Sequence, residues 1–190
     1  MPVIPMFSCS SISLRTPRLM LDSLVEQDWP LFLQLHQDPD VQRYIADPQG
    51  MAEIRARFES RLMPWEKTAN HWLCLVIRER ESGQAIGLTG FLAEWLPLQQ
   101  AEVGYAILPS YHGKGFAKES LMAVLEFGFQ QCQFHKMKAT VTVGNTASRW
   151  TLESCGFQLE GTLRDNFQLD GQWCDDWVLG LLDSEFELSH

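Results

Sequence analysis

A turn between a predicted strand and a predicted helix is the segment of this chain best suited to bind an anion. The strand-like residues 101–108 stop at Pro109, and Gly113, Gly115 and Ala117 then lead into an amphipathic helical pattern. Amides in the first turn of a helix lack helical partners, and the helix dipole favours negative charge there. Small residues let a phosphate approach these amides closely. The segment therefore predicts a diphosphate site made by His112, Gly113, Lys114, Gly115, Phe116, Ala117 and Lys118.

Two other interpretations of this turn stay open. It could be an ordinary strand-to-helix turn that binds nothing, or it could bind the phosphate of some other nucleotide. The two common nucleotide-binding loops do not match, because the chain contains neither GxxxxGK[ST] nor GxGxxG. The turn therefore does not predict a Walker-type or dinucleotide-binding protein.

The same turn resembles the pyrophosphate loop of the GNAT acetyltransferases. His112-x-x-Gly115-x-Ala117 is similar to the family pattern [QR]-x-x-G-x-[GA]. His112 departs from the pattern, since the family usually has Gln, Arg or a large ring at this position. A loop that works through backbone amides tolerates such a change, so the departure does not argue against phosphate binding.

A second motif resembles one branch of that family. Asn145-x-x-Ser148, followed by Gly156-Phe157, is similar to the N-x-x-S…G-F signature of the Rim-type enzymes, the ribosomal-protein N-terminal alanine/serine acetyltransferases. The resemblance covers roughly residues 14–182. It implies a mixed α/β (α+β) fold with a mostly antiparallel, twisted sheet and helices on both faces.

The resemblance also implies a co-substrate and its position. It implies that acetyl-CoA is the acyl donor and that no metal takes part. Residues 101–108 and 138–143 would be neighbouring parallel strands that splay apart, with the pantetheine arm between them. The arm would contact the main chain at Ile107 and Leu108 and the side chain of Asn145, although Asn145 could equally be only a helix N-cap.

Acetyl transfer from a thioester to an amine needs an oriented thioester, a neutral amine, a polarised carbonyl and a proton for the departing thiolate. The resemblance places Ser148 beside the sulfur. A hydroxyl is too weak an acid to transfer a proton readily, so Ser148 would stabilise the thiolate by a hydrogen bond. The alternative is an ordinary first-turn serine.

Glu102 is the predicted holder of the water that accepts the proton of the amine. Period-2 alternation places it with Gly104 and Ala106 on one strand face, which could be a cleft. The alternative is an outward-facing carboxylate. Glu94 and Asp165 are rival bases, and the late glutamate of some Rim-type enzymes corresponds to a phenylalanine here, so the identity of the base stays open.

The remaining aromatic and histidine residues have mainly structural interpretations. Tyr111 and Phe116 could pack on the cofactor but fit better as core residues, and His135 fits a solvated loop. Four tryptophans could line an acceptor cleft, although a position in the core is the favoured alternative for each. They are Trp29, Trp65, Trp72 and Trp95.

The predicted elements place both motifs at strand-to-helix junctions. We predict strands over residues 18–24, 72–78, 85–92, 101–108, 138–143, 157–169 and 172–182. We predict helices over residues 29–37, 51–67, 117–132 and 146–154, with Pro64 ending or kinking the second. Antiparallel strands followed by a crossover unit predict a mixed sheet.

Length and composition favour one globular domain. The chain has 190 residues, of which 45% are hydrophobic and 21% charged. We divide it into a loose arm (residues 1–13), a single domain (14–183) and a tail (184–190). The five cysteines form no CxxC pair, which disfavours a zinc site or a disulfide framework and indicates the cytoplasm.

The charge of the chain limits its partners. Its net charge of −9 disfavours nucleic acid and anionic membranes and suits a cationic partner such as an amine. No apolar run is long enough to span a bilayer. We predict an N-acetyltransferase, monomeric or homodimeric, whose acceptor is an amine, possibly the N-terminus of a ribosomal or other protein. The alternatives are a small amine (polyamine, aminoglycoside or amino-acid-like) and a non-catalytic acyl-CoA-binding module.

Overall fold

An eight-stranded sheet forms the centre of the computed structural model, which describes residues 8–9 and 11–187. The strands are β1 Ser8–Cys9, β2 Ser13–Arg15, β3 Leu19–Ser23, β4 Trp65–Glu66, β5 Leu73–Glu79, β6 Ala85–Glu94, β7 Gln100–Ile107, β8 Lys136–Thr142, β9 Gln158–Leu169 and β10 Gln172–Leu182. The helices are α1 Trp29–Gln37, α2 Pro39–Gln42, α3 Met51–Ser60, α4 Phe116–Glu126 and α5 Thr146–Ser154.

The strand order is β2-β3-β5-β6-β7-β8-β10-β9, and β1 pairs separately with β4. Among the described strands, β7 and β8 are the one parallel pair, and all other neighbours are antiparallel. This arrangement confirms the predicted mixed, mostly antiparallel sheet. The long connection between β7 and β8 contains α4, as a parallel crossover requires.

Helices cover both faces of the sheet, as predicted. On one face, α1 and α3 bury Phe32, Leu35, Ile54 and Phe58 against the sheet. On the other face, α4 and α5 lie over a larger core that their apolar stripes enter at helical spacing. The helical residues in this second core include Leu121, Val124, Leu125 and Leu152.

Packed structure extends beyond both ends of the predicted domain. Ile12 is only 5% exposed, and β2 begins at Ser13, so ordered packing starts inside the segment predicted as an arm. At the other end, the rings of Phe129 and Phe186 are 5.1 Å apart, which brings the predicted tail onto the core. Residues 1–7, 10 and 188–190 of the predicted arm and tail lie outside the described residues.

Two predicted helices end earlier than expected. The helix predicted over residues 51–67 ends at Ser60, and Trp65–Glu66 leaves it to pair as β4. The helix predicted over residues 117–132 is α-helical only to Glu126. It continues as a wider π-helical turn over Phe127–Gln131, where the Gly128 backbone packs closely on Met137.

Candidate active site

The parallel strands β7 and β8 separate within the sheet. They pair at Gln100 with Lys136, Ala101 with Met137 and Glu102 with Lys138, and no pairing follows beyond Glu102. The edge of β7 that faces β8 is therefore without a strand partner from Val103 onward. This opening is the splayed pair that the family resemblance implied.

A cleft with a volume of about 290 Å³ lies at this opening. Its walls include the main chain of β7 from Glu102 to Ala106 and the start of α5. The predicted residues Glu102, Asn145 and Ser148 all line it. The fold thus brings together three side chains that come from two separate segments of the chain.

Ser148 shares a hydrogen bond with Tyr105, which was not among the site residues predicted from the sequence. The Tyr105 hydroxyl is 3.0 Å from Ser148 Oγ and 3.2 Å from the Ser148 carbonyl oxygen, to which it donates. Burial raises the pKa of Tyr105 to about 12, so the phenol is protonated at neutral pH. Its single hydrogen can go to the Ser148 carbonyl or to Ser148 Oγ, so Tyr105 holds the Ser148 side chain in place and can act as its hydrogen-bond donor.

Asn145 is the N-cap of α5. Its Oδ1 accepts a hydrogen bond of 3.2 Å from the Ser148 amide. This is the capping role that the sequence left open for Asn145. Because the cap fixes the first turn of α5, Asn145 also fixes where Ser148 points.

Glu102 occupies the cleft as expected. Ala106 packs with the α1–α3 core, and alternation along β7 places Glu102 and Gly104 on that same side of the sheet. Tyr105 packs with the opposite core, so Glu102 and Ser148 reach the opening from opposite faces. The Trp72 ring packs directly on the Gly104 backbone beside Glu102, since a Cβ at Gly104 would lie 3.0 Å from the ring.

The rival bases do not line the cleft. Glu94 accepts a 2.8 Å hydrogen bond from Lys138 Nζ. Asp165 is exposed on β9, and Phe167, at the position of the missing late glutamate, is half-buried farther along that strand. Within residues 11–187, Glu102 is the one carboxylate that lines the cleft.

The predicted diphosphate turn has the conformation that an anion site needs. Gly113 and Gly115 have φ values of 72° and 80°, and Gly115 is the N-cap of α4. The Glu119 amide is the first to donate to the turn, to the Gly115 carbonyl at 3.1 Å. The amides of Phe116, Ala117 and Lys118 precede it and have no helical acceptor. Lys114 and Lys118 are exposed beside them.

Three residues predicted to contact the coenzyme use polar groups for hydrogen bonds within the fold, namely His112, Ile107 and Leu108. The His112 ring nitrogen Nε2 is 2.7 Å from the Ile107 carbonyl oxygen, and the His112 amide donates to Pro109. The Leu108 amide donates to Ile86 at 2.9 Å, and both apolar side chains are buried. These groups are committed within the fold, so the main chain free to pair with a ligand begins earlier on β7, at Val103.

Arg18 is a second residue that sequence reasoning missed. Its Nη1 donates to the Lys114 carbonyl at 2.9 Å, and its Nε is 2.6 Å from Glu119 Oε2. The guanidinium lies 4.6 Å from the centroid of the Phe116 ring. Arg18 therefore ties the β2–β3 corner to both ends of the diphosphate turn and brings positive charge there.

The aromatic residues mostly confirm their core interpretation. Phe116 is 4% exposed, Tyr111 packs beside it, and Trp29, Trp65 and Trp95 pack on phenylalanines of the two cores. Trp72 is the exception among the four tryptophans because it lines the cleft. His135 is exposed and faces Asp183 at 3.4 Å.

Residues 8–9 and 11–187 contain no group of three or more His, Cys, Asp or Glu side chains placed to hold a metal ion. The helices of the same residues include none that is long and apolar enough to cross a membrane.

Comparisons with known proteins match this geometry. The model of the acetyltransferase (GNAT) domain matches residues 18–158. The chain is 30% identical over 177 residues to the uncharacterised N-acetyltransferase p20 of Bacillus licheniformis, which covers 92% of this chain and 98% of that protein.

Two solved structures have the same fold. An acetyltransferase (GNAT family) from Bacillus anthracis aligns with a TM-score of 0.78 and 22% identity, covering 92% of this chain and 100% of that one. A spermidine N-acetyltransferase from Vibrio cholerae, in complex with CoA and spermine, aligns with a TM-score of 0.79 and 23% identity, covering 90% and 98%. The domain match, the similarity to p20 over nearly the whole chain and the splayed strands agree: this chain belongs to the GNAT family and is an N-acetyltransferase.

Proposed function

We propose that this enzyme acetylates the α-amine of a peptide or protein N-terminus, with acetyl-CoA as the co-substrate. The observation that carries the proposal is the meeting of Glu102 with the Ser148–Tyr105 pair at the opening between β7 and β8. Family membership and the CoA complex of the similar Vibrio cholerae structure support acetyl-CoA as the donor.

The residues present fit acetyl-CoA. The unpaired amides of Phe116, Ala117 and Lys118 suit its diphosphate, and the free β7 edge from Val103 to Ala106 suits the amide groups of its pantetheine arm. Bound there, acetyl-CoA would supply a reactive thioester. Arg18 and the N-cap Gly115 hold the turn in the required shape.

The chain supplies a proton acceptor on the amine side of the reaction and a hydrogen-bond donor on the thiolate side. A C–N bond forms between the amine and the acetyl carbon, and the C–S bond breaks. Glu102, through a water, would accept the proton that the amine loses. When the phenolic hydrogen of Tyr105 turns to Ser148 Oγ, the Ser148 hydrogen is free to stabilise the departing thiolate until the thiolate takes up a proton from water.

The choice of an α-amine has two supports. The chain carries the N-x-x-S…G-F motif that is similar to the Rim-type branch. An α-amine has a pKa of about 8 against about 10.4 for lysine, so it needs less help from a cleft with a single carboxylate. The test is a panel of peptides and amines assayed with acetyl-CoA for free thiol, in which peptide α-amines should give the highest kcat/KM.

A polyamine is the second candidate acceptor. It is favoured by the likeness to the spermidine N-acetyltransferase from Vibrio cholerae, although at 23% identity that likeness shows the fold alone. Spermidine and spermine in the same panel distinguish the two candidates. A kcat/KM for spermidine above that of every peptide would replace the peptide proposal.

The cysteines favour the cytoplasm as the site of this activity. Cys74, Cys132, Cys155 and Cys174 are all free, and the first three are buried. Unpaired buried thiols are typical of proteins in a reducing compartment.

A further inference from the structure

Two arginines occupy the acceptor side of the cleft. Arg57 lies in the last turn of α3, Arg61 follows that helix, and both line the cleft that contains Glu102. The helix α3 packs on the face of the sheet to which Glu102 belongs, whereas α4 and the diphosphate turn lie on the other face. An anion bound by these arginines would therefore be part of the acceptor and not of the coenzyme.

A tryptophan connects Arg61 to the catalytic strand. The Arg61 guanidinium lies 5.6 Å from the centroid of the Trp72 ring, and the same ring packs against the backbone of Gly104. Gly104 is two residues from Glu102 on the same face of β7. The arginine is thus held beside the amine-binding end of the cleft by a rigid side chain.

Arg61 has no anionic partner of its own. Among residues 11–187, no carboxylate forms an ion pair with it; its neighbours are the neutral Cys74 thiol, the faces of Phe32 and Trp72, and Arg57. Arg61 is half-buried, and this burial lowers the pKa of its guanidinium group. Arg57 has only a loose contact of 3.9 Å with Glu53. A half-buried cation without an anion is less well hydrated than an exposed one, and a ligand carboxylate would pair with it.

His36 lies beside this pair and is neutral. Its Nδ1 is 2.8 Å from the Phe32 carbonyl oxygen. A carbonyl oxygen can only accept a hydrogen bond, so Nδ1 carries the single proton of the neutral ring. The pKa of His36 is lowered to about 4, chiefly by burial and further by the charges of Arg61 and Arg57, while the hydrogen bond to Phe32 acts to raise it. The groups that act on the ring are thus one carbonyl and two guanidinium groups, and none of them is an anion.

We infer that the acceptor carries a carboxylate near its reactive amine and that Arg61, assisted by Arg57, binds that carboxylate. The inference rests on the proposed acetyl transfer and refines it by naming the class of acceptor. A guanidinium matches a carboxylate with two parallel hydrogen bonds, which fixes the orientation of the ligand. The carboxylate could belong to an acidic residue that follows a peptide N-terminus or to a free amino acid. A polyamine would instead place a second cation against both arginines.

The kinetic test uses pairs of acceptors that differ only in this charge. The tripeptide amide Ser-Glu-Ala is compared with Ser-Gln-Ala, and free glutamate with its α-amide, by thiol release from acetyl-CoA. We expect the charged member of one pair to have a kcat/KM about 10- to 100-fold higher, as one charge-assisted bidentate contact provides. Which pair responds identifies the source of the carboxylate.

Variants in and just after α3 then assign the effect. Arg61→Gln should bring the charged-to-neutral ratio close to one. Arg61→Lys, which keeps the charge, should retain part of the ratio and serves as the second variant if Arg61→Gln does not fold. Arg55→Gln is the matched control, because Arg55 lies on α3 but pairs outside the cleft with Glu26 and Glu59. Equal kcat/KM within both pairs, or a charge preference that persists in Arg61→Gln, would overturn the inference.

A binding readout separates this inference from the proposed function. With CoA in place of acetyl-CoA, the same ligands bind without reacting, and calorimetry measures their Kd at about pH 7, where the ligand carboxylate is ionised. The acidic ligand should bind about 10- to 100-fold more tightly than its neutral partner to the wild type, and the two should bind equally to Arg61→Gln. Equal Kd values within both pairs for the wild type overturn the carboxylate site, whereas a charge preference in binding without any acetyl transfer would overturn the proposed function alone.

Discussion

The hydroxyl groups of Tyr105 and Ser148 lie 3.0 Å apart, and they join the middle of β7 to the first turn of α5. Tyr105 is half-buried and protonated, and the Ser148 amide is held by the Asn145 cap. Two independent contacts therefore fix the position of the Ser148 hydroxyl. Such a preorganised donor can stabilise charge that develops during a reaction without first reorienting.

Removal of the Ser148 hydroxyl should lower kcat and leave the affinity for acetyl-CoA almost unchanged. We expect Ser148→Ala to lose about 10- to 100-fold in kcat, which corresponds to one hydrogen bond made in the transition state. Tyr105→Phe should lose less, and the double variant should lose little more than Ser148→Ala, because the tyrosine acts through the serine. Rate measurements and calorimetry with CoA decide this.

The control for Ser148→Ala is Ser154→Ala at the other end of α5. Ser154 donates to the Thr151 carbonyl at 2.7 Å and does not line the cleft. Ser154→Ala should therefore leave kcat unchanged. A lower CoA affinity with unchanged kcat in Ser148→Ala would make the serine a binding or capping residue instead.

The fold could be predicted from the sequence because its signals are local. Short apolar runs buried on both faces define the central strands, as in β5, and the stripes in α1 and α4 enter the two cores at the expected spacing. Pro64 predicts an end or a kink of the second helix, and the helix ends slightly earlier, at Ser60. What local signals do not predict is the pairing of Trp65 in β4 and its packing on Phe91. No property of residues 61–67 alone indicates that pairing.

The site could be predicted only where a single segment carries it. Gly115 and Ser148 belong to short motifs, whereas Arg18 meets Glu119 across more than half of the chain. Tyr105 lies on the strand face opposite Glu102, so it is not among the residues that alternate with Glu102 on the predicted cleft face. Arg61 follows a charged helix and has the appearance of a solvated surface residue until the packing of Trp72 places it in the cleft.

A negative side chain at the diphosphate turn should weaken acetyl-CoA binding. Gly115→Asp introduces a side chain at a φ of 80° and a charge among the free amides of α4. We expect the Kd for acetyl-CoA to rise by at least about 10-fold, which calorimetry measures.

Backbone strain is controlled by Gly171→Asp. Gly171 has a φ of 70° with open space around it and lies in the β9–β10 turn. Gly171→Asp should show the same backbone strain and a normal Kd for acetyl-CoA. An unchanged Kd in Gly115→Asp would remove the coenzyme from this turn.

Neutralising Glu102 should matter most at low pH. There the acceptor amine is mostly protonated, so the enzyme depends on a group that takes up its proton. Glu102→Gln should reduce kcat/KM by about 10- to 100-fold near pH 6, and the loss should shrink as the pH rises toward 9. Glu94→Gln, which breaks only the pair with Lys138, should leave the profile unchanged. A Glu102→Gln profile parallel to that of the wild type would exclude this role.

Glu119 should stabilise the protein in a way that acid removes. Burial acts to raise the pKa of Glu119, but hydrogen bonds from the Thr16 hydroxyl and from the Arg18 amide and guanidinium outweigh it, so the pKa is lowered. A carboxyl group whose pKa is lower in the folded state adds stability above its unfolded pKa of about 4.3, and this stability is lost as the pH falls through the folded value.

Glu119→Gln should therefore reduce the free energy of unfolding by about 1–3 kcal/mol at neutral pH, since it leaves Arg18 without its anion. In urea titrations the difference from the wild type should persist at about pH 6 and shrink below about pH 4, where the wild-type carboxylate becomes protonated. Glu153→Gln removes an exposed pair with Arg149 and should lose at most about 0.5 kcal/mol. Because Arg18 also holds the Lys114 carbonyl, Glu119→Gln should in addition raise the Kd for acetyl-CoA. A stability difference that stays constant down to pH 3 would show that packing, and not the charge of Glu119, holds this corner to α4.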